Sequence, residues 1–440
     1  MQNRYRRLLL VMIVLLWAAG GVAGQALALT FTEFQILTDS RPVGITTGPD
    51  GALWFTQPFL DKIGRMTTKG TIREFKMPRG SSFPGSLGNI TPGPDGALWF
   101  NDYQVNKIGR ITTGGAITEF TIPTVESAPI DIAQGPDGAL WFTENAANQI
   151  GRITTDGVIT EFKIPTASSN PDGITTGPDG AVWFTEFFSE KIGRITTNGV
   201  ITEFPLSPGS GWPQKITSGP DGALWFTQLS SDATSQKIGR ITTDGVITEF
   251  TLPSWKNFPG FITTGPDGAL WFGYSPDKIG RITTDGVITE FPLPTTASSP
   301  PNPAGITTGP DGALWFTEVS VDQIVRAAIT TITTPHDFNA DGTSDIAWRD
   351  TSGNVAIWEN ERHHCLKSQY GGGWKCRHHL VHRRDRRLQR RWQVGHPLAR
   401  HQRQCCNLGN ERHHRLESQY GGGRKCAHHL VRGRNRRLQR

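Results

Sequence analysis

Cysteine is absent from the first 360 residues of this 440-residue chain and histidine occurs there once, because all five cysteines and eleven of the twelve histidines lie at or beyond residue 361. A disulfide framework and a Cys/His zinc site are thereby excluded from the larger part of the protein, which must hold together by packing alone. Basic charge is scarce there too. Residues 1–360 carry 24 basic and 35 acidic side chains, net −11, whereas residues 361–440 carry 21 and 4, net +17. The basic character of the whole chain belongs to its tail, and charge excludes the body as a nucleic-acid binder. Long apolar runs are missing apart from residues 8–19, whose twelve positions fall short of the roughly twenty needed to span a bilayer. That run follows Arg4, Arg6 and Arg7 and precedes small residues with cleavage points after Gly24 or Ala28, the pattern of a secretory signal peptide over residues 1–28. The length disfavours an uncleaved anchor helix. The expected location is secreted or periplasmic, with no membrane attachment after cleavage.

A repeat organises what is present. Gly-Pro-Asp-Gly-Ala-Leu/Val-Trp-Phe occurs seven times, with tryptophans at Trp54, Trp99, Trp141, Trp183, Trp225, Trp271 and Trp315, spaced by 45, 42, 42, 42, 46 and 44 residues. Each unit reads as four short β-branched or aromatic strands joined by Asp-Gly and Asn-Gly turns, and no helical period interrupts them. Such a unit cannot bury both faces alone, so radial stacking into a β-propeller is expected. The seventh unit loses its pattern after Arg326 and never supplies an Ile-Thr-Glu-Phe strand; that motif stands instead near the N-terminus, as Leu29-Thr30-Phe31-Thr32-Glu33-Phe34. The sequence therefore predicts an all-β fold: a seven-bladed propeller over residues 29–330, closed by the N-terminal strand so that no sheet edge is left free.

The Trp-Phe-Thr-Glu, Lys-Ile-Gly-Arg-Ile-Thr and Ile-Thr-Glu-Phe strands resemble those of the streptogramin (virginiamycin B) lyase family over roughly residues 29–330. The resemblance implies a seven-bladed propeller that opens a macrocyclic depsipeptide at its ester by magnesium-dependent elimination. It also implies Pro-His-(Ala/Gly)-Ile openings in blades six and seven, one histidine contacting substrate and the other serving as base, with two carboxylates for the metal. At those positions this chain has Gly260 and Ala304 for the histidines, and Asn302 and Val319 for the carboxylates, with Glu318 one residue away. Neither glycine nor alanine can remove a proton beside an ester carbonyl. Lys215 and nearby carboxylates are conceivable substitutes.

Three residues after the blade tryptophans stand Gln57, Asp102, Glu144, Glu186, Gln228, Tyr274 and Glu318. Asp102, Glu144, Glu186 and Glu318 could form a ring of acids at one mouth, for a cation or polar ligand. Repetition favours a structural strut instead, Glu144 with Arg152, Glu186 with Arg194 and Glu318 with Arg326. Aromatics that break the repeat, among them Tyr103, Phe187, Phe188, Trp212, Trp255 and Tyr274, are further candidates for stacking on a sugar or peptide, or for loop packing.

Residues 331–360 read as a separate fragment. Asp337, Asn339, Asp341 and Asp345 place oxygen side chains at positions 1, 3, 5 and 9 of a loop with Gly342 at position 6, which suits calcium. With the following Ile346 to Trp358 the stretch resembles an FG-GAP/VCBS repeat, and the expected cofactor is calcium. Beyond it, residues 361–390 and 411–440 match at 23 of 30 positions. At face value His363, His364 and Cys365 suggest zinc. However, residues 395–410, back-translated and read one nucleotide later, yield Asp-Ile-Leu-Trp-Arg-Asp-Thr-Ser-Gly-Asn-Val-Ala-Ile-Trp-Glu, which repeats residues 345–359 except for Leu in place of Ala347. A frameshift near residue 360 accounts for the tail better than a zinc or RNA module does.

Two functions stay open. One is an exported, monomeric binding propeller for a small-molecule, peptide or carbohydrate ligand. The other is a magnesium-dependent carbon–oxygen lyase opening type B streptogramins. The missing base favours the first, since a fold alone does not carry activity.

Overall fold

The computed structural model describes residues 7–14, 26–78, 86–230, 235–253, 257–294, 300–332, 346–349 and 355–358. Six four-stranded antiparallel sheets and one of five strands form the seven blades, and in each four-stranded sheet the strands lie in sequence order. Blade four is representative: Pro171–Thr176, Val182–Glu186, Lys191–Ile195 and Ile201–Pro205. The first strands pack side by side around the axis, and Ile45–Thr47 of blade one meets Pro303–Thr308 of blade seven to complete the circle.

The seventh blade is closed as the sequence predicts. Ala26–Gln35 lies beside Gln323–Ile332 and supplies the fourth strand, and Arg7–Val14 adds a fifth outside it. Phe34 from that N-terminal strand stacks on Trp315 at 5.5 Å, just as Phe75, Phe120, Phe162, Phe204, Phe250 and Phe291 stack on the tryptophans of their own blades. All seven tryptophans are completely buried. The core is accordingly seven wedges between neighbouring blades; one joins Trp141, Ile150 and Ile164 of blade three to Val182, Phe184 and Ile195 of blade four.

The Gly-Pro-Asp-Gly turn fastens each wedge. Asp179 accepts a hydrogen bond from Trp183 Nε1 at 3.0 Å on one oxygen and pairs with Arg194 at 2.7 Å on the other. The same triplet occurs in every blade, through Asp50, Asp95, Asp137, Asp221, Asp267 and Asp311. Partial burial alone would raise the Asp179 carboxyl, but its Trp183 and Arg194 partners hold it below the usual carboxylate range. Gly180 adopts φ 71°, a left-handed conformation that glycine takes without strain.

At the same end a belt of hydroxyls crosses from blade to blade. Thr47 donates to the Thr308 carbonyl, Thr308 to Thr264, Thr264 to Ser218, Ser218 to Thr176 and Thr176 to Gln134. The belt is open on both sides of blade two, because Gln134 of blade three and Pro92 of blade two occupy the equivalent positions and have no hydroxyl. Among the described residues no helix is long and apolar enough to cross a membrane. Ile346–Arg349 and Val355–Trp358 form an antiparallel hairpin in a separate unit. Asp337, Asn339, Asp341 and Asp345, and the tail from residue 359, lie outside the described residues.

Candidate functional site: the axial mouth

Strand direction gives the two ends of the ring different material. First and third strands run toward the repeated Gly-Pro-Asp-Gly and Thr-Thr-X-Gly turns. Second and fourth strands run back toward loops that differ in every blade. Non-repeating residues therefore collect at one end. There the first strands of blades two to seven each carry a register shift immediately before the conserved Ile, as between Pro129 and Ile132. A bulge of this kind frees two residues from the ladder and re-aims their side chains.

Those freed positions build the site. Asn89, Asp131, Asp172, Lys215 and Phe261 come from five consecutive blades. Lys215 Nζ is 2.5 Å from Asp172 Oδ1 and 3.7 Å from Asp131 Oδ2, and it lies 4.9 Å from the centre of the Phe261 ring. Asn89 Nδ2 donates to Asp131 Oδ1 at 2.5 Å. Backbone positions are set by the second strands: Thr143 Oγ1 accepts from Asp131 N and donates to the Asp172 carbonyl, and Thr227 Oγ1 accepts from Lys215 N. Burial on its own would depress the Lys215 ammonium, but the Asp172 and Asp131 carboxylates outweigh it and hold the amine above its ordinary value. Asp131 is pushed up, first by burial and also by the neighbouring Asp172 charge, against the pull of Lys215.

A cavity of about 450 Å³ opens beside the cluster, lined by Asp172, Gln214, Lys215 and Phe261 on one side and by Arg41, Val43, Phe59, Tyr103 and Val319 on the other. The Arg41 guanidinium lies 4.2 Å over the Phe59 ring. The cavity thus offers an amine and carboxylates along one arc and aromatic and aliphatic walls opposite, the mixture that orients a small ligand. Arg41, Asn89, Asp131, Asp172 and Phe261 escape notice in the sequence. The signal for the last four is the pair of positions before the repeated Ile, which changes in every blade while the surrounding strand repeats.

The positions implied by the family resemblance lie at this end. A Cβ added to Gly260 would meet nothing nearer than 3.9 Å, so a side chain has room there. Ala304 is half-buried, and Val319 lines the cavity. Asn302 has φ 56°; its Oδ1 accepts from Ser275 Oγ at 2.7 Å and its carbonyl from Val319 N at 3.2 Å.

The four acids of the expected ring lie inside the propeller. Asp102, Glu144 and Glu186 are 0% exposed and Glu318 is 1% exposed, so they sit between blades and present nothing to solvent. Nor are they struts to the blade arginines, because Arg152, Arg194 and Arg326 pair with Asp137, Asp179 and Asp311. Burial and then the Glu161 charge push Glu144 up to about 8, and burial followed by Glu33 does the same to Glu318. Burial lifts Glu186 to about 7 although Ser189 Oγ donates to it at 2.8 Å. Tyr274 is likewise inside, edge-on to Phe272, and is no solvent-facing platform. Trp212 is half-buried and stacks on Phe187 at 5.5 Å beside exposed Phe188. Trp255 lies outside the described residues. Among the described residues no three His, Cys, Asp or Glu side chains gather into a metal-binding group.

Fold and mouth together define a closed seven-bladed propeller with a ligand-sized axial site. The sequence profile described as the Virginiamycin B lyase family matches residues 20–207 and 167–341, and the chain belongs to that family. A solved streptogramin B lyase is 38% identical over 69% of this chain and 98% of its own, with a TM-score of 0.63. Virginiamycin B lyase from Staphylococcus aureus is 40% identical over 68% of this chain and 99% of its own, also at 0.63. A catalytically inactive histidine-to-alanine variant of the S. aureus enzyme, solved with quinupristin, gives 40% identity over the same shares and a TM-score of 0.62. No curated protein matches the chain.

Proposed function

We propose that this protein is an exported ligand-binding member of the virginiamycin B lyase family without lyase activity, its ligand seated in the axial mouth. One observation carries the reading. Gly260 and Ala304 stand where the resemblance expects two histidines, and residues 1–335 contain none. Lys215, the one buried amine among the described residues, is held protonated between two aspartates and is therefore no proton acceptor. The family positions for magnesium ligands hold Asn302, whose side chain is engaged by Ser275, and Val319, which has no donor atom.

Loss of a base does not imply loss of binding. The inactive alanine variant of the S. aureus enzyme was solved with quinupristin, and the mouth here keeps a cavity and polar groups of its own. The calcium-type loop at Asp337, Asn339, Asp341 and Asp345 belongs to the same proposal, as an appended calcium-binding segment. Quinupristin added to the full chain, with and without Mg²⁺, tests the reading by chromatography and by tryptophan fluorescence. Saturable binding with an intact lactone is the expected result; magnesium-dependent ring opening would overturn it.

A further inference from the structure

The second, third and fourth strands of each blade meet at the mouth end in a fixed trio. The last residue of the second strand faces the first residue of the third, and the third strand's glycine faces the glutamate of the fourth. In five blades the third strand begins with lysine, whose ammonium pairs with that glutamate: Lys62–Glu74, Lys107–Glu119, Lys191–Glu203, Lys237–Glu249 and Lys278–Glu290, at 2.5–3.0 Å. Blades three and seven break the pattern. Glu144, Gln149 and Glu161 in blade three, like Glu318, Gln323 and Glu33 in blade seven, are two carboxyls and an amide with no lysine.

One side-chain oxygen at the end of the second strand lacks a donor in lysine-bearing blades as well, at Gln57, Glu186 and Gln228, and blade three has more such atoms. Oε1 of Gln149 is buried without a hydrogen-bond donor, and the buried Glu144 carboxyl has only the Ser127 hydroxyl and the Glu161 carboxyl named against it. Gln149 is 8% exposed and lies directly across from Glu144. Glu144 Oε1 leans over Gly151, 2.7 Å from where a Cβ would stand, and Gly151 is the residue opposite Glu161. Ser127, fully buried, adds a hydroxyl beside Glu144. Lys163, across the sheet from Gln149, is exposed and forms no ion pair among the described residues. Buried acceptors without donors are costly, and each calls for an occupant.

We propose that a hard divalent cation, calcium, occupies the place left by the missing lysine in blade three, held by Glu144, Glu161 and the Gln149 amide oxygen. Two carboxylates match its charge, where a single ammonium matches the one or two acids of the other blades. All donors are oxygen, and calcium accepts irregular oxygen sets completed by water. The site lies between blades two and three, apart from the cavity at the axis, and its function is to pin those blades together.

The natural variation among blades supplies the test. Gln149→Lys installs the residue of five of the other six blades, and Glu144→Gln installs that of blades one and five, Gln57 and Gln228. Full-length protein is stripped with EDTA at pH 8 and titrated with CaCl₂, following Tm and, by calorimetry, the number of ions bound. Wild type is expected to gain Tm with calcium. Gln149→Lys should start at the raised Tm, and both variants should bind one ion fewer, which separates this site from the loop at Asp337. Equal stoichiometry in wild type and both variants would overturn the proposal. So would a wild type indifferent to calcium whose Tm falls with rising pH, because the acid pair would then be sharing a proton.

Discussion

The two ends of the ring are built from the same strands and differ in what repeats. At the turn end every blade carries the same aspartate bonded to its tryptophan and arginine, and a belt of hydroxyls runs through five junctions. At the mouth end five consecutive blades contribute Asn, Asp, Asp, Lys and Phe at comparable positions, and no two neighbouring blades make the same contact. Repetition marks what holds the ring; its interruption marks what the ring can bind. The register shift before each conserved Ile lets one scaffold do both, since it detaches the mouth residues from the ladder while the rest of the strand stays paired.

The largest effect should come from the strand on which both ends depend. Deleting residues 26–36 removes Phe31 and Phe34 from the core and exposes the edge of Gln323–Ile332. Loss of a cooperative melting transition, with aggregation on size exclusion, is expected; an unchanged transition would mean that closure is dispensable. Next comes Lys215→Met, which leaves buried Asp131 and half-buried Asp172 side by side without a cation. Urea unfolding at neutral pH should show a loss of about 3–5 kcal/mol, shrinking in acid as the aspartates take up protons. Asp179→Ala should cost about 1–3 kcal/mol by stranding the Trp183 N–H, and the equivalent change in any other blade should cost the same; a strong dependence on the blade would contradict the equivalence of the turn ends.

Acidity offers a further comparison. Glu144, Glu186 and Glu318 keep their protons in the folded chain up to about 8, 7 and 8, whereas an unfolded glutamate releases its proton near about 4.3. Their contribution to stability is therefore complete below the unfolded value and is lost as pH rises toward the folded ones. In EDTA, Tm should fall between pH 5 and pH 9, and Glu144→Gln should flatten the fall. The smallest effect is expected at Gly260→Ala, within about 0.5 kcal/mol of wild type, because its Cβ enters open space. Gly173→Ala, by contrast, would bring a Cβ to 2.6 Å from the Gln214 carbonyl oxygen, and it should be plainly destabilising.

Blade count, strand order and the closing strand were legible because each is written seven times, or is conspicuous by its one displacement. The strut between Glu144 and Arg152 was legible as an error. Arg152 faces Trp141 across the sheet, and Glu144, three residues after that tryptophan, points to the opposite face by simple alternation. The mouth was not legible. Asp131, Asp172 and Lys215 are more than forty residues apart in the chain, and only the curvature of the ring and the bulges bring them together. Glu144, Gln149 and Glu161 lie within one blade, and they could have been found by asking which blades replace the lysine, namely three with Gln149 and seven with Gln323.

Closure by the N-terminal strand also orders events in time. Gln35 and Gln323, hydrogen-bonded at 3.2 Å, are separated by 288 residues. At synthesis rates of about 5–20 residues per second, the strand carrying Phe31 and Phe34 must wait roughly 15–60 s for its partner to be made. Throughout that interval the growing chain displays an unpaired, aromatic-rich strand, and the blades already made have no ring to belong to. Folding should consequently be slow and chaperone-sensitive, with its last step the docking of the oldest part of the chain onto the newest.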